Sequence, residues 1–276
     1  MPAVLLALGS SLVWGVTDFV GGRLVRRHPV ATISLLSHST GFAGLGVAVA
    51  IAGFHGRAFV LGLAAGGFGG VSLYTFYKAM SLGTMSIVSP LLSLGSVLAF
   101  ALAVAGGERP TWLAVLGALV ALAGAILASF GEHASGGDRR RALGWAFTSP
   151  VALGFYLYLL ARGAKDDDGS MSAVFGARGT SSLLLLVLAF AIHAPLRVER
   201  RGLATVVAIG VCGSTALVLF GYAASLGLIS IATILASLYP LVTVLLAHLF
   251  VGERLRGFQL AGVVLALGGV ALVTAS

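Results

Sequence analysis

Apolar runs and short polar breaks alternate along the whole chain. Each run is about 20 residues long, the length a helix needs to cross a hydrocarbon core. None shows the apolar/polar alternation over about ten residues that a membrane strand requires. The pattern predicts ten helices, at Ala3–Gly22, Val30–Gly53, Ala58–Leu82, Thr84–Ala105, Thr111–Phe130, Ala142–Ala161, Met171–His193, Leu203–Leu226, Leu228–Phe250 and Gly257–Thr274. One polar stretch, Gly131–Arg141, stands out as a linker between a first half, 1–130, and a second, 142–276. Each half holds five segments. Five is odd, so the second half must start from the opposite side of the bilayer, with a pseudo-two-fold axis in the membrane plane. The expected fold is an all-α membrane protein of ten transmembrane helices arranged as two inverted five-helix repeats.

The two halves also repeat each other in detail. Leu82-Gly83 answers Leu226-Gly227, and Ser86-Ile87 answers Ser230-Ile231. Gly107-Glu108-Arg109 answers Gly252-Glu253-Arg254, and Gly124 answers Gly269. The offset is 144 at the first pairs (227 − 83) and 145 at the last (253 − 108), so one residue has been inserted between them. A duplicated, almost wholly apolar unit is the sequence mark of transporters built from internal repeats.

Composition agrees. The chain is 58% hydrophobic and 9% charged, against about a quarter charged in soluble domains. The net charge of +8 does not point to nucleic acid, because the cations sit in short connections between apolar segments. Their distribution sets an expected orientation. The odd-numbered connections carry eleven (Arg23, Arg26, Arg27, Arg139, Arg140, Arg141, Arg197, Arg200, Arg201, Arg254 and Arg256), and the even-numbered ones four (Arg57, Arg109, Arg162 and Lys165). Positive loops stay inside, so the odd connections are expected in the cytoplasm and both termini outside. Cys212 is the single cysteine and allows no internal disulfide. The first apolar run has no basic region before it and is long enough to span, unlike a cleaved signal.

The ordered motifs carry a resemblance. These are Trp14-Gly15, the run from Leu82 to Leu91, and Gly107-Glu108-Arg109, followed in the second half by Leu226 to Ile231, Leu238-Tyr-Pro-Leu241 and Gly252-Glu253-Arg254. In their order and duplication the chain resembles an EamA-type member of the drug/metabolite transporter superfamily over nearly its whole length. The resemblance implies ten helices, inverted repeats, a bacterial cell (plasma) membrane, and secondary transport of small metabolites or drugs, often outward. The second half departs from the first at Pro240, where the first half has Ser96 and carries its proline earlier, at Pro90.

Charges inside apolar segments cost about 3 kcal/mol each on insertion scales, so those present call for a reason. Asp18 and Lys78 are expected at the same level near the inner ends of their helices, as an intramembrane pair with His38 nearby. Asp18 then exchanges a proton or holds a cationic group of the substrate; alternatively both side chains reach out to the interface. Arg178, about 12 Å inside its helix at 1.5 Å per residue, needs a carbonyl, an aromatic face or an anionic substrate. EamA-type proteins often have an arginine near this point, which adds weight. Trp14 and Tyr239 lie too deep for an interfacial belt and suit a cavity that orients a substrate; Tyr74, Tyr77 and Tyr222 join them as pathway candidates. Ser93 and Ser237 correspond across the repeat and either line the cavity or bond back to helix carbonyls. Glu108 and Glu253 are expected to favour the starts of the helices that follow them, each paired with the next arginine. Small residues four apart on the third segment, Gly62, Gly66 and Gly70, suit close helix packing or a sliding surface.

The expected site lies near the midplane among helices 1, 3, 4, 6, 8 and 9. Helices 5 and 10 are expected at the periphery, where they could mediate a homodimer. The partners expected are a small-molecule substrate and the lipid bilayer, with no nucleic acid, cofactor or metal and no catalytic residue. The rival class, an intramembrane enzyme or lipid-handling protein, would need paired carboxylates, a Ser/His set or a metal cluster in the membrane, and the sequence offers none.

Overall fold

The computed structural model describes residues 1–82, 85–129, 139–167, 169–251 and 257–275. Among these residues it is all helix, without strands. The helices are α1 (Pro2–Leu24), α2 (Val30–Ala52), α3 (Gly56–Leu82), α4 (Met85–Ala105), α5 (Trp112–Ser129), α6 (Arg139–Asp167), α7 (Ser170–Ala191), α8 (Arg200–Ser225), α9 (Ile229–Ala236), α10 (Tyr239–Val251) and α11 (Gly257–Thr274). Five of them, α1, α2, α3, α7 and α8, contain stretches long and apolar enough to cross a membrane. Large apolar side chains cover the exterior, among them Ile51, Val187, Phe190, Val264 and Leu267. A surface of this kind suits lipid and would aggregate in water.

Two expectations change. The sixth helix begins at Arg139, so Arg139–Arg141 belong to it rather than to the linker, and it runs on to Asp167. Positions 131–138 of that linker lie outside the described residues, as do Gly83, Asp168, Ser276 and the Gly252-Glu253-Arg254 turn. The ninth segment is two helices, broken at Ser237–Leu238. Pro240 has no N–H to give and its ring crowds the carbonyl four residues back, at Ala236. The backbone turns tightly there instead: the Ser237 N–H donates to Thr233 and Ile234, and that of Leu241 donates to Leu238 at 3.0 Å. α4 runs unbroken through the matching stretch.

The halves pack by exchange. α3 lies on α6 and α7, while α8 lies on α1 and α2; α4 lies on α6, and α10 on α1; α2 faces α7, and α5 faces α11. Glycines make the close crossings. A Cβ on Gly62 or Gly66 would strike the carbonyls of Ala173 or Ala177 on α7, and one on Gly117 would meet the Gly269 carbonyl at 2.8 Å. The α3 stripe is therefore a packing surface. Serines tie α3 to α7 and α6, and α1 to α8: Ser181 Oγ donates to the Gly66 carbonyl (2.7 Å), Ser149 Oγ to that of Ser72 (2.9 Å) and Ser10 Oγ to that of Ala216 (2.8 Å). In lipid, where apolar helices gain little by touching, small residues and such bonds hold helices together.

Candidate functional site

At the centre of this exchange is a cavity of about 90 Å³. A water needs about 10–15 Å³ of such space, so the cavity has room for about six waters or one small solute. α1 contributes Trp14 and Asp18, α2 His38, and α3 Gly69, Ser72, Leu73 and Phe76. Leu92 comes from α4, Leu153, Tyr156 and Leu157 from α6, Arg178 from α7, Leu217 from α8, and Ser237 and Tyr239 from the α9–α10 break. Both repeats build it, and α2 and α7 take part in addition to the helices expected from sequence.

Local geometry explains how these side chains come together. Gly15 lets α1 approach the break: a Cβ there would meet the Tyr239 carbonyl at 2.8 Å, and Thr243 Oγ1 donates to the Gly15 carbonyl at 3.3 Å. Trp14, on the adjoining position, packs edge-on against Tyr239 (centroids 6.4 Å apart) and tilted against Phe220 (6.1 Å). Arg178 is 6% exposed and slots between α2 and α8. A Cβ on Gly213 would lie 3.2 Å from its Nη2, and one on Gly41 3.5 Å from its Nε. Gly69 leaves room for the Tyr156 ring, which a Cβ would meet at 2.8 Å.

The polar groups fall into two sets. Asp18 is within electrostatic reach of Tyr77 and Tyr239, and Arg178 of His38, Tyr77 and Tyr156. Four buried polar atoms on the cavity have no hydrogen-bond partner: His38 Nδ1, Tyr156 Oη, Arg178 Nε and Tyr239 Oη. Buried polar atoms are almost always satisfied, so a concentration of bare ones in one cavity marks a place for a polar guest or water. The described residues include no cluster of His, Cys, Asp or Glu that could hold a metal.

Of the residues singled out by sequence, Trp14, Asp18, His38, Arg178, Ser237 and Tyr239 line the cavity. Ser237 also bonds back, its Oγ donating to the Ile234 carbonyl at 2.7 Å. Tyr77 is buried beside Phe76 with its hydroxyl against Gly21, just behind the wall. The others lie elsewhere. Ser93 is buried but off the cavity, Tyr74 packs edge-on against Trp145 at 6.2 Å, and Tyr222 is half-buried away from it. Lys78 is half-buried and makes no ion pair with Asp18, so the expected intramembrane pair is absent. Sequence reasoning did not choose Tyr156 or Ser72. Tyr156 carried a signal in its depth, midway along an apolar segment; Ser72 did not, because serines are common in such helices.

The Gly-Glu-Arg turn also differs from expectation. Glu108 caps α9 of the other repeat rather than α5. The N–H of Ile229 donates to its Oε1 (2.8 Å) and that of Ser230 to its Oε2 (2.9 Å). Lys165 Nζ, not Arg109, pairs with Oε1 at 3.1 Å and also donates to the Gly227 carbonyl at 3.2 Å. The start of α5 is served by Thr111 Oγ1, which accepts from the Ala114 N–H at 3.1 Å. Gly107, at φ 102°, makes the turn that aims Glu108 away from its own helix; an L-residue is rarely found there. Burial pushes the Glu108 carboxyl up, but the Ser230 and Ile229 N–H groups and the Lys165 ammonium outweigh it, and the net shift is below the usual carboxylate value. Glu108 follows α4, Lys165 sits in the last turn of α6, and Gly227 and the head of α9 follow α8, so these groups lie on the face of the molecule that carries both chain termini. They latch that face.

The EamA-like transporter family model matches residues 1–130 and again 140–275. A solved structure titled only "Crystal structure of protein" superimposes with a TM-score of 0.80 over 99% of this chain and 98% of its own, at 21% identity. That likeness is one of fold. No curated protein matches the chain significantly.

Proposed function

The chain belongs to the EamA-like transporter family of the drug/metabolite transporter superfamily, and from that premise we propose that this integral, multi-pass membrane protein is a secondary transporter working by alternating access. Its cargo is a small metabolite or drug, moved outward or by exchange. One observation carries the reading: a cavity walled by both repeats, at mid-depth, holding four bare polar groups. Ten spans in two inverted fives fit the exchange of packing partners, since a two-fold axis that swaps α3/α6 with α8/α1 and α3/α7 with α8/α2 leaves α2/α7 and α5/α11 paired with themselves. Such symmetry supplies a second state, in which the latch on the termini face opens and the opposite face closes. The cation count favours termini outside the cytoplasm. Drive is by proton coupling or by exchange.

The test is flux. Purified protein in liposomes is screened against a labelled metabolite and drug panel at two pH values, with protein-free liposomes alongside. Saturable entry of at least one compound, lost in Arg178→Gln, is expected. A folded, monodisperse preparation that moves nothing in the panel above the control overturns the reading.

A further inference from the structure

We propose that the joint between the α1–α2 and α7–α8 connections binds the headgroup of an anionic phospholipid. This goes beyond the transport reading and stands on the protein's place in a bilayer alone.

The two connections come from different repeats and meet on the face opposite the termini. α1 ends at Leu24 and α2 begins at Val30, while α7 ends at Ala191 and α8 begins at Arg200. Thr32 Oγ1 donates to the Pro195 carbonyl at 2.8 Å. Val198 packs against the cluster that holds Val25, Ile33 and Val206. A Cβ on Gly202 would lie 3.4 Å from His28 Nε2. Five exposed arginines stand at this joint, Arg23, Arg26 and Arg27 on one side and Arg197 and Arg200 on the other. Among the described residues none of them makes an ion pair, and Glu199 is the single acid in either connection. Arg23 lies over the Phe19 ring, 5.7 Å from its centroid.

The fold builds the same joint twice. On the termini face the α6–α7 and α2–α3 connections meet in the same way, and the His55 N–H donates to Ser172 Oγ at 3.0 Å. Ser172 answers Thr32 and Pro195 answers His55 at one offset, 140 residues (172 − 32 and 195 − 55). With the adjoining turns included, the sequence there sets Arg57 and Lys165 against Asp166, Asp167 and Asp168, a net charge of −1 (2 − 3). The same count at the first joint, which adds Arg201, gives +5 (6 − 1). Packing does not call for the arginines, because the other copy closes the same contact without them. Orientation in the membrane needs cations in these connections, but not unpaired cations gathered from both repeats at one joint. Their charge answers something outside the fold. Helix ends lie at the depth of the lipid headgroups, where clustered cations attract anionic lipid. A guanidinium takes phosphate oxygens through paired N–H bonds, so arginines of the two connections hold one headgroup between them and tie the repeats together. A zwitterionic headgroup brings its own cation and neutralises none of the surplus.

The test uses the full-length protein, delipidated in neutral detergent. Dioleoylphosphatidylglycerol or dioleoylphosphatidylcholine is added in mixed micelles at equal mole fraction. Native mass spectrometry reads the lipid retained, and thermal shift the melting temperature. At about fivefold for each arginine in contact, phosphatidylglycerol should be held about 25-fold over phosphatidylcholine and should raise the melting temperature. In about 1 M salt, where the Debye length is about 3 Å, the preference should collapse. Arg26→Gln/Arg27→Gln and Arg197→Gln/Arg200→Gln should each cut it about fivefold or more. Arg57→Gln/Arg109→Gln, which takes two exposed cations from the termini face, should leave it intact. Should one double variant at the joint fail to fold, the other reads the same site. The proposal is overturned if phosphatidylcholine is held as tightly, or if the termini-face pair costs as much as the other two. It is overturned as well if inorganic phosphate at the same concentration gives the same shift, which would place a soluble anion there. Flux takes no part in these readings, so a failed transporter leaves the lipid site standing, and a failed lipid site leaves the transporter.

Discussion

Replacing Glu108 by Ala should unlatch the face that carries both termini. The carboxylate takes two backbone N–H groups at the head of α9, at 2.8 and 2.9 Å, and the Lys165 ammonium at 3.1 Å. A hydrogen bond to a charged group is worth about 1.5–3 kcal/mol, but this carboxylate is partly wet. Lys165 is 36% exposed, so that pair adds less than about 1 kcal/mol after screening. The two N–H groups recover water when the face opens, which trims the loss again. A net change of about 2 kcal/mol follows, or about thirtyfold in the ratio of open to closed molecules. The assay is a distance distribution between spin labels at Arg109→Cys and Leu226→Cys, both exposed and on either side of the latch, in a Cys212→Ala background. A longer-distance population should grow about thirtyfold relative to the short one. Glu108→Gln, which keeps the acceptor and loses the charge, should fall between. An unchanged distribution in a folded Glu108→Ala protein would refute the latch.

Further outcomes can be checked alongside. Because the Glu108 carboxyl sits below its usual value in the latched protein, its contribution is present above the ordinary carboxylate range and is lost as pH falls through the depressed value; a melting-temperature profile should show an acid-side slope that Glu108→Gln flattens. Gly107→Ala places an L-residue at φ 102° at a cost of about 1–2 kcal/mol, and the spin-label pair should show part of the Glu108→Ala shift. Gly62→Val puts a branched side chain against the Ala173 carbonyl on α7; overpacking of about 1–3 kcal/mol should lower the melting temperature by several degrees, whereas Gly144→Ala, which meets nothing within 4 Å, should leave it unchanged. Pro240→Ala restores the missing N–H, so the α9–α10 break should close and flux should drop while the protein stays folded; flux equal to wild type would detach the break from function.

The parts of this molecule that the sequence made legible are those that break a rule. Asp18, His38 and Arg178 are polar groups in apolar segments, Trp14 and Tyr239 are amphipathic rings too deep for a belt, and Pro240 interrupts a helix; each violation costs energy, and each stands on or beside the cavity. Leu92, Leu153, Leu157 and Leu217 were not legible as lining, because in a membrane helix an apolar residue suits lipid, core and cavity alike. Periodicity gave no help, since no water-facing side exists to contrast with the core. Glu108 shows a different limit. Local chemistry pointed to α5, next to it in sequence, yet the N–H groups that it serves are 121 and 122 residues away. Thr111 already occupied the nearer role. The Asp18–Lys78 pairing failed for a similar reason: helical rise fixes depth, but only packing fixes which way each side chain turns.

The exchanged packing has a bearing on how the molecule is made. A ribosome delivers 1–129 to the bilayer before α6, α7 and α8 exist, so α3 must wait with its glycine-lined edge against lipid tails. The stripe that will later admit α7 has nothing to close on until then. Neither half can mature alone, and a truncated product ending after α5 should persist as loosely associated spans, open to the proteases that clear unassembled membrane proteins.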